Sequence, residues 1–350
     1  MSRSAAKDRI PVVILFVVCA ALLSLGGYAA YLRLRTETPD APVRSVSGTA
    51  RTTAEPTVEA AATPEPTALP DWIVPDPQIA EAENPPFWSD GILYDGDTYR
   101  SPTLSVSVSK VRDETSFRYA AVYYIADIRV RDVTQIMTAS TVGNFARRSS
   151  GDVAKTAKKV SSLIAISGDY YSAHNSAFVV RNGTVFRKKT GYGDVCVLWK
   201  SGEMETFRKG SVDVNAILEK EPWQVWEFGP ALLDDAGHAR TSFPGSHIGG
   251  ANPRCCIGYV EPGHYYFVVA DGRSKKTRGM TLNDLAKLME SLGCRVAYNL
   301  DGGASAHFFW HDRIYNRPSG GGREISDIIY IAKEPYRESR FFSGKAGMNE

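Results

Sequence analysis

Residues 256–273 read CIGYVEPGHYYFVVADGR, two apolar and aromatic runs on either side of the turn sequence EPGH. Two β-prone runs around a short turn predict an antiparallel hairpin. AFVVRNGTVFR (177–187) contains Asn-Gly, the dipeptide that a type I′ hairpin turn requires, and predicts a second hairpin. VCVLWKSGEMETF (195–207) predicts a third. The chain around these segments is dominated by short strands separated by glycine turns.

One helix is clear from the sequence, TLNDLAKLMESLG (281–293). Thr281 and Asp284 are spaced as a capping box, and the leucines and methionine recur on one face. Weaker helical patterns cover 152–160 and 212–219. The sequence therefore predicts an α+β fold, a single strand-dominated domain with a few helices packed on the sheet.

The N-terminal region contains an uncharged apolar run over 11–32, which as a helix would be roughly 33 Å long. That length spans a hydrocarbon core of about 30 Å. Three basic residues precede the run and favour a cytoplasmic N-terminus. We therefore expect a cytoplasmic tail over 1–10 and a single-pass signal-anchor over 11–32. Small residues near the end of the run leave a cleaved signal peptide open, and the protein is then secreted.

The segment 33–85 is rich in Pro, Thr, Ala and Glu and has almost no apolar periodicity. Such a composition cannot bury enough surface to offset its ordering entropy, so we expect a disordered linker. The folded domain is expected over 86–335 and a short tail over 336–350. Both interpretations of the N-terminus place this domain outside the cytoplasm.

Charge and cysteine content exclude several classes of protein. The net charge is only +2, which gives no argument for nucleic acid as a partner. The four cysteines of the domain are too few for a disulfide scaffold, and no spacing suggests a zinc site. The adjacent Cys255 and Cys256 are expected to be strand residues that face opposite sides.

Three hydrophobic strands end in the same way, in an aspartate next to glycine. Asp169 follows AISG, Asp271 follows YFVVA, and Asp301 follows YNL. Strand ends are rigid, and a neighbouring glycine allows a ligand or another backbone to approach closely. For any one of these sites, an ordinary β-turn is the better explanation. Three of them favour carboxylates that converge at one end of a sheet.

Arginines accompany the same strand ends. Arg254 precedes CCIGYV, Arg273 follows Asp271-Gly272, and Arg323 lies in PSGGGREISDIIYI. Each guanidinium presents a planar fork that matches phosphate or carboxylate. A structural ion pair would explain any single arginine, but the set favours a pocket for an anionic ligand. No serine-hydrolase elbow, P-loop or dinucleotide fingerprint is present.

The order and spacing of seven motifs over about 165–332 resemble the phosphodiester glycosidase family. The motifs are AISGDYY, FVVRNGTVF, EFGPALL, NPRCCIGYVEPGHYYFVVADGRS, RGMTLNDLAKLMESLGC, NLDGGASAHFF and PSGGGREISDIIYI. The resemblance implies hydrolysis of a sugar-1-phosphodiester that releases the sugar and leaves a phosphomonoester. Bacterial members with an N-terminal anchor are associated with exopolysaccharide.

The resemblance also implies roles for individual residues. Asp301 and Asp271 are the leading candidates for catalytic carboxylates, with Asp169 third. The phosphate would be held by Arg254, Arg273 and Arg323. The pocket would be shaped by Asn299, Gly302, Gly303 and Ser305. Ala304, Ala306 and His307 depart from the common pattern of the family, which points to a different sugar or leaving group.

The sequence therefore predicts a membrane-anchored, extracytoplasmic glycosidase that acts on sugar-1-phosphodiesters or phosphoglycans of the envelope or extracellular polysaccharide. Two alternatives stay open. One is a non-catalytic module that binds an anionic glycan, and the other is a metal-dependent phosphodiesterase in which the aspartates bind a hard cation. The sequence requires no cofactor, leaves a divalent cation open and does not predict the oligomeric state.

Overall fold

The computed structural model describes residues 87–334 except 147, 245 and 247. The predicted anchor over 11–32, the linker over 33–85 and the tail over 336–350 lie outside the described residues. Within the described part, no helix has both the length and the apolar character needed to cross a membrane.

The described residues form strands and short helices in the following order along the chain. The strands of the first half are β1 (Leu93–Tyr94), β2 (Thr98–Arg100), β3 (Leu104–Asp113), β4 (Ala121–Val130), β5 (Ile136–Ser140), β6 (Ser162–Ser167), β7 (Val179–Arg181) and β8 (Thr184–Arg187). The later strands are β9 (Asp194–Leu198), β10 (Met204–Phe207), β11 (Gln224–Phe228), β12 (Arg254–Glu261), β13 (His264–Ala270), β14 (Val296–Asn299), β15 (Phe308–Trp310), β16 (Arg313–Ile314) and β17 (Asp327–Ala332). The α-helices are α1 (Val153–Lys159), α2 (Val214–Glu219) and α3 (Leu282–Ser291).

Three antiparallel sheets organise these strands. Sheet A has seven strands in the order β1-β2-β3-β4-β13-β12-β14. Sheet B has the order β16-β15-β6-β17-β5, and sheet C has the order β10-β9-β11-β7-β8. The strand-dominated α+β prediction is confirmed.

The predicted hairpins are also confirmed. β7 pairs with β8, β9 with β10, and β12 with β13, all antiparallel. At the first turn Asn182 and Gly183 both have positive φ, 53° and 76°, as a type I′ turn demands. These local signals are strong because a short primed turn leaves few alternatives for the register of its strands.

Sheet A lies between sheet B and helix α3. Alternate residues of its strands point to opposite faces, so Cys255 joins the core towards sheet B while Cys256 faces α3. Both cysteines are buried free thiols, and they face opposite sides of the strand as predicted. Helix α3 begins with the predicted capping box of Thr281 and Asp284. Its buried Leu285 contributes about 1.5–3 kcal/mol of hydrophobic stabilisation.

Strand pairing brings two of the three Asp-Gly strand ends to one edge. β12 runs antiparallel to both β13 and β14, so Asp271 and Asp301 flank the start of β12 at Arg254. Asp169 follows β6, which belongs to sheet B. A backbone hydrogen bond from Asp301 N to Gly168 O, 3.1 Å long, joins the two sheets at this point.

Candidate functional site

Strand β14 ends at the Asp301 turn, where Gly302 and Gly303 pack closely against the backbone of Pro253. A Cβ atom on Gly302 would lie 2.6 Å from the carbonyl oxygen of Pro253. Gly303 has a φ of +62°, and its N–H donates to the same oxygen at 2.9 Å. Only glycine fits both positions without strain. The turn therefore stops the strand and fixes the direction of the Asp301 side chain.

The Asp301 carboxylate is buried next to a partly exposed arginine. Arg323 donates from Nη2 to Asp301 Oδ2 at 2.8 Å and from Nε to the hydroxyl of Ser305. Asp301 is 7% exposed, whereas the Arg323 side chain is 42% exposed. Three of the predicted site residues thus form one cluster that is open to solvent on the arginine side.

Burial raises the pKa of Asp301 above its ordinary value. Hydrogen bonding by Ser305 and the charge of Arg323 act in the opposite direction, and the negative charge of Asp169 adds to the increase. Burial is the largest of these effects, since it penalises the ionised form. A carboxylate with a raised pKa is well suited to proton transfer near neutral pH.

A group of three aromatic side chains, Tyr170, His174 and Tyr192, adjoins this cluster. The Tyr170 ring lies 4.6 Å from the Arg323 guanidinium. Tyr192 stacks on His174 with ring centroids 3.5 Å apart. Burial raises the pKa of the Tyr192 phenol, and the charge of Asp301 raises it further, which places this ring near the carboxylate.

Sequence reasoning missed these three rings. Tyr170 directly follows Asp169 in the quoted motif AISGDYY, and it has the left-handed conformation with φ 60°. Tyr192 stands between two glycines, Gly191 and Gly193, which was a usable sign of a loop residue. His174 carried no sequence signal.

Asp169 has a different environment, with no exposed surface. Arg181 donates to it from Nη2 at 2.7 Å, and the backbone N–H groups of Glu227 and Tyr171 complete its hydrogen bonds. Arg181 also pairs with the buried Asp327, at 3.2 Å. All of these partners belong to the protein interior, so Asp169 is placed to support the site rather than to contact a substrate.

The side chains of Arg254 and Asn299 likewise donate hydrogen bonds to backbone carbonyl groups. Arg254 is 2% exposed and donates to the carbonyl groups of Met280, Ile248 and Gly250. Burial lowers its pKa to about 10. Asn299 donates from Nδ2 to Gly229 O at 2.8 Å. Both side chains hold loops around the start of β12.

Arg273 is exposed and lies over the Asp301 turn. Its Nε and Nη2 donate to Asn252 Oδ1 at 3.1 and 3.0 Å. A Cβ atom on Gly303 would lie 3.1 Å from Arg273 Nη2, so the guanidinium covers this glycine. Arg273 and Arg323 are therefore the two predicted arginines with surface that a ligand can reach near Asp301.

Asp271 occupies a third environment, at the wall of a separate cavity. It accepts hydrogen bonds from the Tyr124 hydroxyl, the Asn316 amide and the Arg317 N–H, at 3.2, 3.2 and 3.0 Å. Burial raises its pKa, and the bonds from Arg317 and Asn316 oppose the increase. The structure thus separates the three predicted aspartates by environment, and the described residues contain no cluster of three or more metal-ligating side chains.

Comparison with known proteins identifies the domain. Residues 161–332 match the family model described as phosphodiester glycosidase. The SPbeta prophage-derived uncharacterized protein YomE of Bacillus subtilis (strain 168) is 26% identical over 204 residues, 56% of this chain and 32% of YomE. The chain therefore spans about a third of the length of that curated relative.

Two solved structures share the fold. The zebrafish N-acetylglucosamine-1-phosphodiester alpha-N-acetylglucosaminidase catalytic domain, auto-inhibited by its pro-peptide, has a TM-score of 0.55 and 20% identity. The match covers 69% of this chain and 88% of that domain. A hypothetical protein from Synechocystis has a TM-score of 0.50 and 11% identity, over 66% of this chain and 62% of its own.

These findings confirm the resemblance seen in the sequence motifs. Residues 161–332 form a domain of the phosphodiester glycosidase family.

Proposed function

We propose that the protein hydrolyses sugar-1-phosphodiesters with Asp301 as its catalytic carboxylate. The observation that carries this proposal is the cluster of Asp301, Ser305 and Arg323, in which a buried carboxylate with a raised pKa adjoins a solvent-accessible guanidinium. Carboxylate and cation are the two groups that glycosyl transfer from a phosphodiester requires. The family assignment supports the same reaction.

In the proposed reaction Asp301 removes a proton from a water molecule that attacks the anomeric carbon. The bond between that carbon and the phosphodiester oxygen breaks, and its electron pair leaves with the phosphomonoester. The water oxygen becomes the anomeric hydroxyl of the released sugar. Since the phosphomonoester is an anion that leaves readily, Arg323 and Arg273 assist by stabilising its charge.

The aromatic group provides the sugar side of the proposed site. Tyr170 lies against Arg323, and Tyr192, stacked on His174, lies near Asp301; flat rings of this kind bury the apolar faces of sugars. The negative charge of Asp169, which is paired with Arg181, helps to raise the pKa of the Asp301 carboxyl. Arg254 and Asn299 act as positioning residues for the loops.

We further propose that residues 11–32 anchor the protein in a membrane and that 33–85 act as a spacer. The hydrolase domain then lies outside the cytoplasm, where envelope or extracellular polysaccharides supply sugar-1-phosphodiester linkages. The support for this location is the apolar run and the composition of the linker.

The test uses the full-length chain with a panel of sugar-1-phosphodiesters. Asp301→Asn is compared with Asp312→Asn, a control at an exposed turn position where the positive φ of 68° suits asparagine. We expect sugar release by the wild type and the control but not by Asp301→Asn. Arginine-dependent binding of the panel without any sugar release by the wild type would instead support a glycan-binding module.

A further inference from the structure

A second charged site lies beside Asp271, at the same edge of sheet A as the Asp301 cluster. A cavity of about 450 Å³ opens there between β3, β4 and the loop that follows β13. Its charged and aromatic lining contains four cations and one carboxylate. These residues are Lys110, Arg112, Tyr124, Asp271, Lys276 and Arg317.

The cavity begins where the hydrophobic core of sheet A ends. Along one face of β3 the sequence runs from buried Val106 and Val108 to exposed Lys110 and Arg112. Lys110 lies opposite Tyr124 on β4, and its ammonium group is 5.5 Å from the centroid of that ring. On this face of β3, two core positions are thus followed by two positions that carry cations.

Most of this positive charge has no counter-ion among the described residues. Lys110, Lys276 and Arg317 make no ion pair there, and Arg112 makes only an exposed pair with Glu114. Asp271 can offset only one of the four positive charges, and its oxygens accept hydrogen bonds from Tyr124, Asn316 and the backbone N–H of Arg317. The cavity therefore favours an anion of more than one charge.

A basic loop connects this cavity to the Asp301 site. The sequence RSKKTR (273–278) places Arg273 over Gly303 and Lys276 in the cavity. Three residues of extended chain span at most about 10 Å. A second cavity of about 470 Å³ on the other side of the loop is lined by Arg273, Lys275 and Arg278, and Ser274 lines both cavities. Cationic side chains thus lie all the way along the loop.

We propose that the Asp271 cavity binds a second phosphate group on the leaving-group side of the substrate. This inference rests on the proposed function and narrows its substrate to sugar-1-phosphodiesters whose leaving group is itself phosphorylated. In this arrangement the sugar packs against the aromatic side chains, and the scissile phosphate lies between Arg323 and Arg273. The leaving group extends along the basic loop. Lys110 and Arg112 precede the family match at residue 161, whereas Lys276 and Arg317 lie within it, so half of the cavity's cations come from outside the matched region.

The first arm of the test measures binding of inorganic tripolyphosphate to the full-length protein by calorimetry, with inorganic phosphate as the single-anion comparison. Lys110→Ala/Lys276→Ala is compared with Lys155→Ala/Lys158→Ala, which removes the same charge from exposed positions of α1. We expect the cavity variant to weaken tripolyphosphate binding at least about tenfold, as the loss of charge-assisted hydrogen bonds implies. Equal weakening by both variants, or no binding, would overturn the anion site.

The second arm measures kcat/KM for two substrates with the same sugar and scissile bond, one with a second phosphate on its leaving group. We expect the wild type and the α1 variant to prefer the phosphorylated leaving group about tenfold, and the cavity variant to lose this preference. Equal hydrolysis of both substrates by the wild type would overturn the inference and leave the proposed function intact. Cavity-dependent tripolyphosphate binding without hydrolysis of either substrate would overturn the proposed function and leave the anion site.

Discussion

Two carboxylate–arginine pairs adjoin Gly168 and differ in their exposure: Asp169 follows Gly168 in the chain, and the Asp301 N–H donates to the Gly168 carbonyl oxygen. Asp169 and Arg181 are 2.7 Å apart and neither side chain has any exposed surface. Asp301 and Arg323 are 2.8 Å apart, but the Arg323 side chain is 42% exposed. The first pair is enclosed by backbone N–H groups and Asp327, whereas the second faces aromatic rings and solvent. An aspartate–arginine ion pair alone therefore does not distinguish a structural role from a functional one. The solvent exposure of the pair does.

The largest effect is expected for Asp301→Asn. Loss of the general base should lower kcat by roughly 10²–10⁴-fold. The free energy of unfolding should stay the same or rise, because burial raises the pKa of Asp301 and so disfavours its charged form in the folded protein. Steady-state kinetics and thermal unfolding test both parts. Lost activity with a large fall in melting temperature would mean that Asp301 is structural, like Asp169.

Arg181→Met is expected to destabilise the fold by about 3–5 kcal/mol, since it leaves Asp169 and Asp327 buried without a cation. Denaturant unfolding measures this cost. Arg323→Met should cost under about 1 kcal/mol in the same assay, because the guanidinium of the Asp301–Arg323 pair is partly exposed to solvent. Similar costs at the two arginines would remove the distinction between the two pairs.

Arg323→Ala should lower kcat by about a hundredfold while the protein stays folded. The guanidinium stabilises charge on the departing phosphate, and the loss of one such donor typically has an effect of this size. Kinetics with a sugar-1-phosphodiester test this, and Arg317→Ala provides a comparison at the Asp271 cavity. A change in KM alone at Arg323 would restrict its role to binding.

A smaller effect is expected in the pH dependence of kcat/KM. Activity should rise with pH through the raised pKa of Asp301, since the base must be ionised. Arg323→Ala should move the midpoint to higher pH, because Arg323 lowers that pKa in the wild type. The stability that Asp301 contributes has the opposite dependence: it is present below the unfolded pKa near 3.8 and is lost as pH rises through the folded pKa. An unchanged midpoint in the variant would argue against Asp301 as the base.

The sequence was sufficient for the local parts of this fold. The Asn-Gly turn at 182–183 and the capping box of α3 depend on neighbours in the chain, so their patterns predicted them well. The family motifs were equally visible, because their order and spacing over one domain are specific.

The grouping of side chains could not be predicted in the same way. The three Asp-Gly strand ends look alike in sequence, yet β6 belongs to sheet B while β13 and β14 belong to sheet A. Which aspartate receives a buried arginine and which receives an exposed one depends on pairing between strands far apart in the chain. For the same reason no pattern linked Lys110 with Lys276, which sheet A and the basic loop bring to one cavity.

The central claim is that hydrolysis breaks the bond to the anomeric carbon rather than a bond to phosphorus. Hydrolysis of a sugar-1-phosphodiester in water enriched in oxygen-18, followed by mass spectrometry of both products, tests it directly. We predict that the label appears in the released sugar and that the phosphomonoester is unlabelled. Label in the phosphomonoester would contradict the account and would instead indicate a phosphodiesterase.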